Sequence, residues 1–177
     1  MPGYLNNEKA TKDTIDDEGW LHTGDIGHID EDGFLRITDR KKEMFKTSGG
    51  KYVAPQLLEN RLKQSRFIEQ VMVIGDGEKM PAALIQPDFV FLEQWAKKKE
   101  LGDLDRTALI AHPRVLSRIE REVESANEQF AKFEKIKQFK LTPDAWTPDA
   151  GHLTPTMKLK RKAIQAKYQD LYDQIYR

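Results

Sequence analysis

Five charged residues in a row, Asp39-Arg40-Lys41-Lys42-Glu43, stand between two apolar segments. Taking ionised side chains out of water without partners is costly, so this run predicts an exposed connection that divides the chain. Upstream, Asn7 is placed to cap a short helix over 8–15, which Asp16-Asp17-Glu18-Gly19 closes. Two short strands follow, the first with Trp20, Leu21, Ile26 and Ile29, the second with Phe34, Leu35 and Ile37. The tight acidic turn Asp30-Glu31-Asp32-Gly33 joins them.

Downstream the pattern changes repeatedly between period two and period 3.6. Met44–Thr47 and Tyr52-Val53 read as strands around the turn Ser48-Gly49-Gly50-Lys51. Pro55 suits the first turn of a helix that carries Leu57, Leu58 and Leu62 and ends near Ser65. Val71–Ile74 and Ala82–Ile85 bracket Gly75-Asp76-Gly77 as two more strands. Residues 88–130 read as helical, most clearly after Pro113, where Val115, Ile119, Val123, Ala126 and Phe130 form one stripe. Ile136–Leu141 alternates as a strand with one wet face, Thr142–Asp149 is a loop, and a last helix carries Ile164, Tyr168, Leu171, Tyr172 and Ile175. Strands and helices mix without a strict β-α-β rhythm. The expected class is α+β: a small mixed sheet flanked by helices, preceded by a short β-hairpin, with 39–177 as the independent unit.

Composition narrows the function. A charged fraction of 33% against 38% hydrophobic, with eight Phe, five Tyr and three Trp, describes a foldable rather than a disordered chain. No apolar run reaches the ~18 residues of a membrane span, and no secretory signal opens the sequence. The absence of cysteine removes disulfides, thiolate nucleophiles and thiolate metal sites, and fits a reducing, cytoplasmic setting. Four scattered histidines, His22, His28, His112 and His152, make no metal pair and read as surface or capping residues. The zero net charge hides a drift from −6 over residues 1–38 to +5 over 131–177. A solvated surface accounts for it, and nucleic acid is not expected as a partner.

Three segments can carry chemistry. Asp25 lies in an apolar stretch between Gly24 and Gly27, either held by backbone N–H groups in a bulge or facing a ligand whose vicinal hydroxyls match a carboxylate. Gly49-Gly50, flanked by Lys46 and Lys51, is either a tight hairpin or a phosphate cradle, without P-loop spacing. Thr154-Pro155-Thr156 is a stiff tip that ends near Lys158, either a basic solvated loop or a lysine held out to reach an anion beyond its own domain.

In order, WLHTGDIG, GFLRITDRKKEMFKTSGGKYVAPQLLEN and LTPTMKLKR resemble the C-terminal end of the adenylate-forming synthetase superfamily. The resemblance is nearest to the long-chain fatty acyl-CoA synthetases and runs from GYLNNEKATKDTID onward. It implies a C-terminal fragment: residues 1–38 as the end of a large adenylation domain, 39–42 as a hinge, and 43–177 as a mobile lid. The family's Thr/Ser/Gly-rich phosphate loop and second ATP-contacting motif lie upstream. By the same resemblance Asp25 holds the ribose hydroxyls and Arg40 contacts the nucleotide. Asp39 begins the hinge and Lys42 occupies the hinge position, where many relatives carry aspartate. Gly49 and Gly50 line the pantetheine tunnel, Lys51 reaches the CoA nucleotide, and Lys158 serves adenylate formation. No residue is implied as a metal ligand.

The implied activity is an ATP-dependent, AMP-forming long-chain fatty acid:CoA ligase. Fatty acid, ATP with Mg²⁺, and CoA are used by the whole enzyme, and nothing is expected bound to this fragment, which should not turn over alone. Rival readings are a ligase for an aryl or medium-chain acid, an acyl-carrier-protein loader, a non-catalytic interaction module that keeps the fold, and a polyanion binder. Apolar surface around Trp20, Leu21 and Phe34 predicts that 1–38 is disordered in isolation or packs against a second copy, making a homo-oligomer. Peripheral membrane contact is open.

Overall fold

Asn7 caps as its position predicts: its side chain accepts a hydrogen bond from Ala10 N at 3.0 Å and opens α1, Glu8–Thr14. The computed structural model describes residues 1–177, the side chains of Thr38 and Asp39 excepted. It comprises two units along the chain, Met1–Met44 and Phe45–Arg177.

In the first unit, β1 (Asp25–Ile29) pairs antiparallel with β2 (Leu35–Arg40), with a bulge between Ile26 and Gly27. Trp20 and Leu21, expected in the first strand, precede it instead. Asp16 takes over here: its carboxylate accepts from Glu18 N at 3.1 Å and Trp20 N at 2.8 Å, and meets His22 Nε2 at 2.9 Å. Such local side-chain bonds compete with a strand ladder. The same Trp20 amide, with His22, holds the Asp16 carboxyl below its ordinary pKa. Gly27 is required by close approach, since a Cβ there would lie 2.6 Å from Arg36 O.

The exposed connection expected over 39–43 is shorter than its charges suggest. Asp39 and Arg40 belong to β2, with Asp39 opposite Ile26, and only Lys41, Lys42 and Glu43 form the turn. A two-stranded ribbon has a wet side, so charges can end a strand without being buried. The side chain of Asp39 lies outside the described residues.

The second unit begins with β3 (Phe45–Lys46) and β4 (Tyr52–Val53), an antiparallel ribbon, followed by α2 (Pro55–Leu62) with its proline in the first turn. Then come β5 (Ile68–Ile74) and β6 (Ala82–Pro87), both longer than expected, and α3 (Phe89–Lys98), α4 (Arg106–Ala111) and α5 (Pro113–Asn127). Three caps split the helical region: Asp88 accepts from Phe91 N, Asp105 from Ala108 N, and the His112 ring from Arg114 N. After α5 the Asn127 amide bonds both N and O of Ile136 at 2.9 Å, so the chain turns away and Phe130 falls outside the helix. The strand β7 (Gln138–Leu141) precedes α6 (Arg161–Lys167) and α7 (Gln169–Tyr176). The single last helix expected is therefore two, parted at Tyr168, whose buried ring sends its hydroxyl to Asp144 Oδ2 at 3.1 Å.

The sheet order is β5-β6-β7, antiparallel then parallel, which makes the sheet mixed. Side chains alternate across it. Val71, Val73, Ala83 and Ile85 join α2, α3 and α5 in one core, while Met72, Ile74, Ala82 and Leu84 join Trp146, Leu153 and α6–α7 in the other. Both faces are covered, so β5 and β6 read as continuous apolar runs rather than alternating ones.

Candidate functional site

Lys158 sits on a narrow tip built by short-range bonds. An antiparallel bridge joins Leu153 to Leu159, and between them Thr154 N donates to Lys158 O at 2.8 Å. Lys158 N donates to Thr154 Oγ1 at 3.0 Å, and Met157 N to Thr154 O at 2.9 Å. This closure forces Met157 to φ 61°, a left-handed conformation that a non-glycine residue adopts at a cost of roughly 1–2 kcal/mol. Below the tip Leu153 is fully buried and His152 O accepts from Lys160 N at 2.8 Å. The Lys158 ammonium is exposed and has no side-chain partner among the described residues. Fixed backbone with a free cation is the arrangement that meets an anion from elsewhere.

The Gly49 turn is braced from outside. Ser48 N donates to Glu78 O at 2.8 Å and Gly77 N to Lys46 O at 2.9 Å, which ties the ribbon to the β5–β6 connection. Tyr172 OH in turn donates to Glu78 Oε1 at 2.9 Å, and burial with the Glu78 carboxylate pushes that phenol up to about 12. Of the turn's amides, Gly50 N goes to Thr47 O and Lys51 N to Thr47 Oγ1, so the tight hairpin reading stands over the phosphate cradle. Gly50, at φ 79°, is needed by the turn. Gly49 is not: its φ is ordinary, and an added Cβ would meet only Thr47 Oγ1 at 3.9 Å. Lys51 is exposed, with Nζ 5.8 Å from the centre of the Phe133 ring.

The first unit brings Asp25 and Arg40 together as cross-strand partners, with Arg40 Nε 3.0 Å from Asp25 Oδ1. Among the described residues it is this guanidinium, not a set of backbone amides, that meets the carboxylate. Asp25 N bonds Thr23 Oγ1 at 3.1 Å, and Lys41 N reaches Gly24 O at 2.7 Å, extending the ladder past Arg40. Lys42 is exposed in the turn that follows.

Two buried constellations escaped the reading from sequence. Glu59 faces inward on α2 beside Leu58 and Leu62, where it binds Arg161. The signal was available, because a glutamate one position from Leu58 and three from Leu62 falls on the apolar stripe. His152 is buried as well, its ring stacked on Tyr168 at 6.2 Å and tilted against Trp146 at 6.5 Å. Burial and the Lys167 ammonium hold its pKa below the ordinary value, against smaller opposing effects of Asp144 and the Ala145 backbone. Lys167 Nζ lies 2.9 Å from Asp144 Oδ2, which keeps that carboxyl low. Nothing in the local pattern singled out this histidine.

Solved structures share this architecture. The adenylation domain of a carboxylate reductase from Mycobacterium chelonae superimposes with TM-score 0.78 over 98% of this chain and 26% of that one, at 23% identity. A carboxylic acid reductase A domain from Segniliparus rugosus, solved with AMP and a co-purified carboxylic acid, gives TM-score 0.72 at 26% identity over 99% of this chain and 27% of that one. The fold is therefore that of the C-terminal region of an adenylation domain. Residues 43–177 match the AMP-binding enzyme C-terminal domain, and the chain belongs to that family. It is 41% identical over 98% of its length to the long-chain-fatty-acid–CoA ligase FadD15 of Mycobacterium tuberculosis, and 34% identical over 98% to the peroxisomal long chain acyl-CoA synthetase 7 of Arabidopsis thaliana. It spans only 29% and 25% of those two proteins.

Proposed function

We propose that this chain is the C-terminal portion of an ATP-dependent, AMP-forming long-chain fatty acid:CoA ligase, and that Lys158 is its adenylation lysine. The observation that carries the reading is the exposed ammonium on a backbone tip closed by three hydrogen bonds. In the first half-reaction a fatty carboxylate oxygen attacks the α-phosphorus of ATP and pyrophosphate leaves. Two anions must approach, and a fixed ammonium offsets their repulsion and stabilises the charge that develops. In the second, the CoA thiolate attacks the acyl carbonyl of the adenylate and AMP leaves, with no need for that cation.

Residues 1–38, 39–42 and 43–177 serve as the end of the large domain, the hinge and the lid. Asp25 and Arg40 face the nucleotide, and the carboxylate suits a ribose diol once the Arg40 contact is shared. Asp39 and Lys42 carry the hinge, whose charged turn can change φ/ψ without disturbing a core. Gly49 and Gly50 line the path of the pantetheine arm, supported by the finding that the fold itself does not require glycine at 49. Lys51 offers its ammonium to the CoA phosphates. Mg²⁺ enters with ATP, held by the phosphates that are its ordinary ligands. The chain alone is expected not to turn over. Among the described residues no helix is long and apolar enough to cross a membrane.

The test is Lys158→Ala in the complete ligase. Adenylation, read as acid-dependent pyrophosphate exchange, should fall ~10²–10³-fold, while thioester formation from supplied acyl-adenylate is spared. Equal loss in both halves rejects the assignment.

A further inference from the structure

Beside the tip lies an ion pair with no role in the reading above. Arg161 Nη1 donates to Glu59 Oε1 at 2.9 Å and Arg161 Nη2 to Glu59 Oε2 at 2.8 Å, a two-pronged contact across 102 residues. Glu59 Oε1 also accepts from Val73 N at 2.8 Å, and Arg161 Nη1 donates to Val73 O at 3.3 Å. Val73 belongs to β5, an edge of the sheet. The pair therefore stands where the next strand would, and supplies both the acceptor and the donor that Val73 would find there. Only 7% of the Glu59 side chain and 27% of the Arg161 side chain is exposed. Burial lowers screening and makes the forked geometry matter.

Arg161 opens α6 and comes three residues after Lys158, a reach of at most ~11 Å of extended chain. Within that reach Leu159 is bridged to Leu153, and Lys160 N is bonded to His152 O. The tip thus has two fastenings: the bridge at its base and the Arg161 fork just beyond. The fork ties the start of α6 to α2 and to the sheet edge.

We propose that Glu59 and Arg161 are positioning residues for Lys158, holding the tip at the orientation adenylation requires and contributing nothing to thioester formation. This rests on the adenylation role given to Lys158. Electrostatic stabilisation needs its donor placed in advance, and a displacement of about 1 Å can cost ~10²-fold. Glu59→Gln keeps the shape and one acceptor but loses the charge; Arg161→Lys keeps the charge but loses the fork.

Both variants are made in the complete ligase, and each half-reaction is measured separately. Adenylation kcat should fall at least ~10-fold for each, with the KM values for ATP and acid within about 2-fold of the parent, and thioester formation from supplied acyl-adenylate within about 2-fold. A purely structural pair would depress both halves together, in proportion to the folded fraction, and that result overturns the proposal; so does an unchanged adenylation rate in either variant. If one variant fails to fold, the other decides. Lys158→Ala is run alongside. Should it spare adenylation, the role of Lys158 is what has failed. If it behaves as expected while the pair variants do not, the fault lies with the pair.

Discussion

Acidification should weaken the second unit through His152, and the sign follows from its surroundings. The ring is 3% exposed, its Nδ1 has no hydrogen-bond partner among the described residues, and burial and Lys167 hold its pKa below 6.5. In the unfolded chain the imidazole titrates near its ordinary value of 6.5. Below that pH the unfolded state binds more protons than the folded one, so stability is full above 6.5 and falls with decreasing pH until the folded ring also protonates. One proton sets an upper slope of about 1.4 kcal/mol per pH unit. Asp16, Asp30 and Asp144 are depressed from 3.8, so stability that depends on them is lost only at lower pH and does not overlap this window. The assay is urea unfolding of the full chain between about pH 7 and pH 5, with His152→Leu as comparison. Its backbone bond to Lys160 N survives the substitution, so the variant should slope less steeply than the parent across this window. A parent as flat as the variant, or one stabilised by acid, refutes the reasoning.

Two further outcomes follow from packing. Gly49→Leu should leave the midpoint of unfolding within about 1 °C, since Gly49 is exposed and an added Cβ would meet only Thr47 Oγ1 at 3.9 Å, yet slow thioester formation in the complete ligase by ~10-fold or more while sparing adenylation. An unchanged CoA half-reaction removes Gly49 from the tunnel. Leu153→Ala empties a fully buried site under the tip and should cost about 3 kcal/mol, lowering the thermal midpoint by roughly 10 °C. A loss under about 1 kcal/mol in calorimetry would mean that the second core does not pack as described.

Much of the architecture was legible because it depends on local patterns. Asn7, Pro55 and Pro113 sit where caps and first turns need them, and the apolar stripe of α5 through Val115, Ile119, Val123 and Ala126 is its buried face. Motif wording located Asp25, Arg40, Gly49 and Lys158, and two of them, Asp25 and Arg40, prove to be cross-strand partners. What misled was the assumption that charge ends a strand. The backbone of β2 runs on through Asp39 to Arg40, whose side chain is exposed.

By itself, then, the order of residues determined the class of fold, most of the elements and the exposed position of Lys158, all consequences of contacts within a few residues. Tertiary structure alone decided how that lysine is held. Glu59 and Arg161 meet across 102 positions, and His152 loses its water to Trp146 and Tyr168. A charge's partner and a ring's solvation depend on which distant surfaces the folded chain brings together, and no periodicity records them.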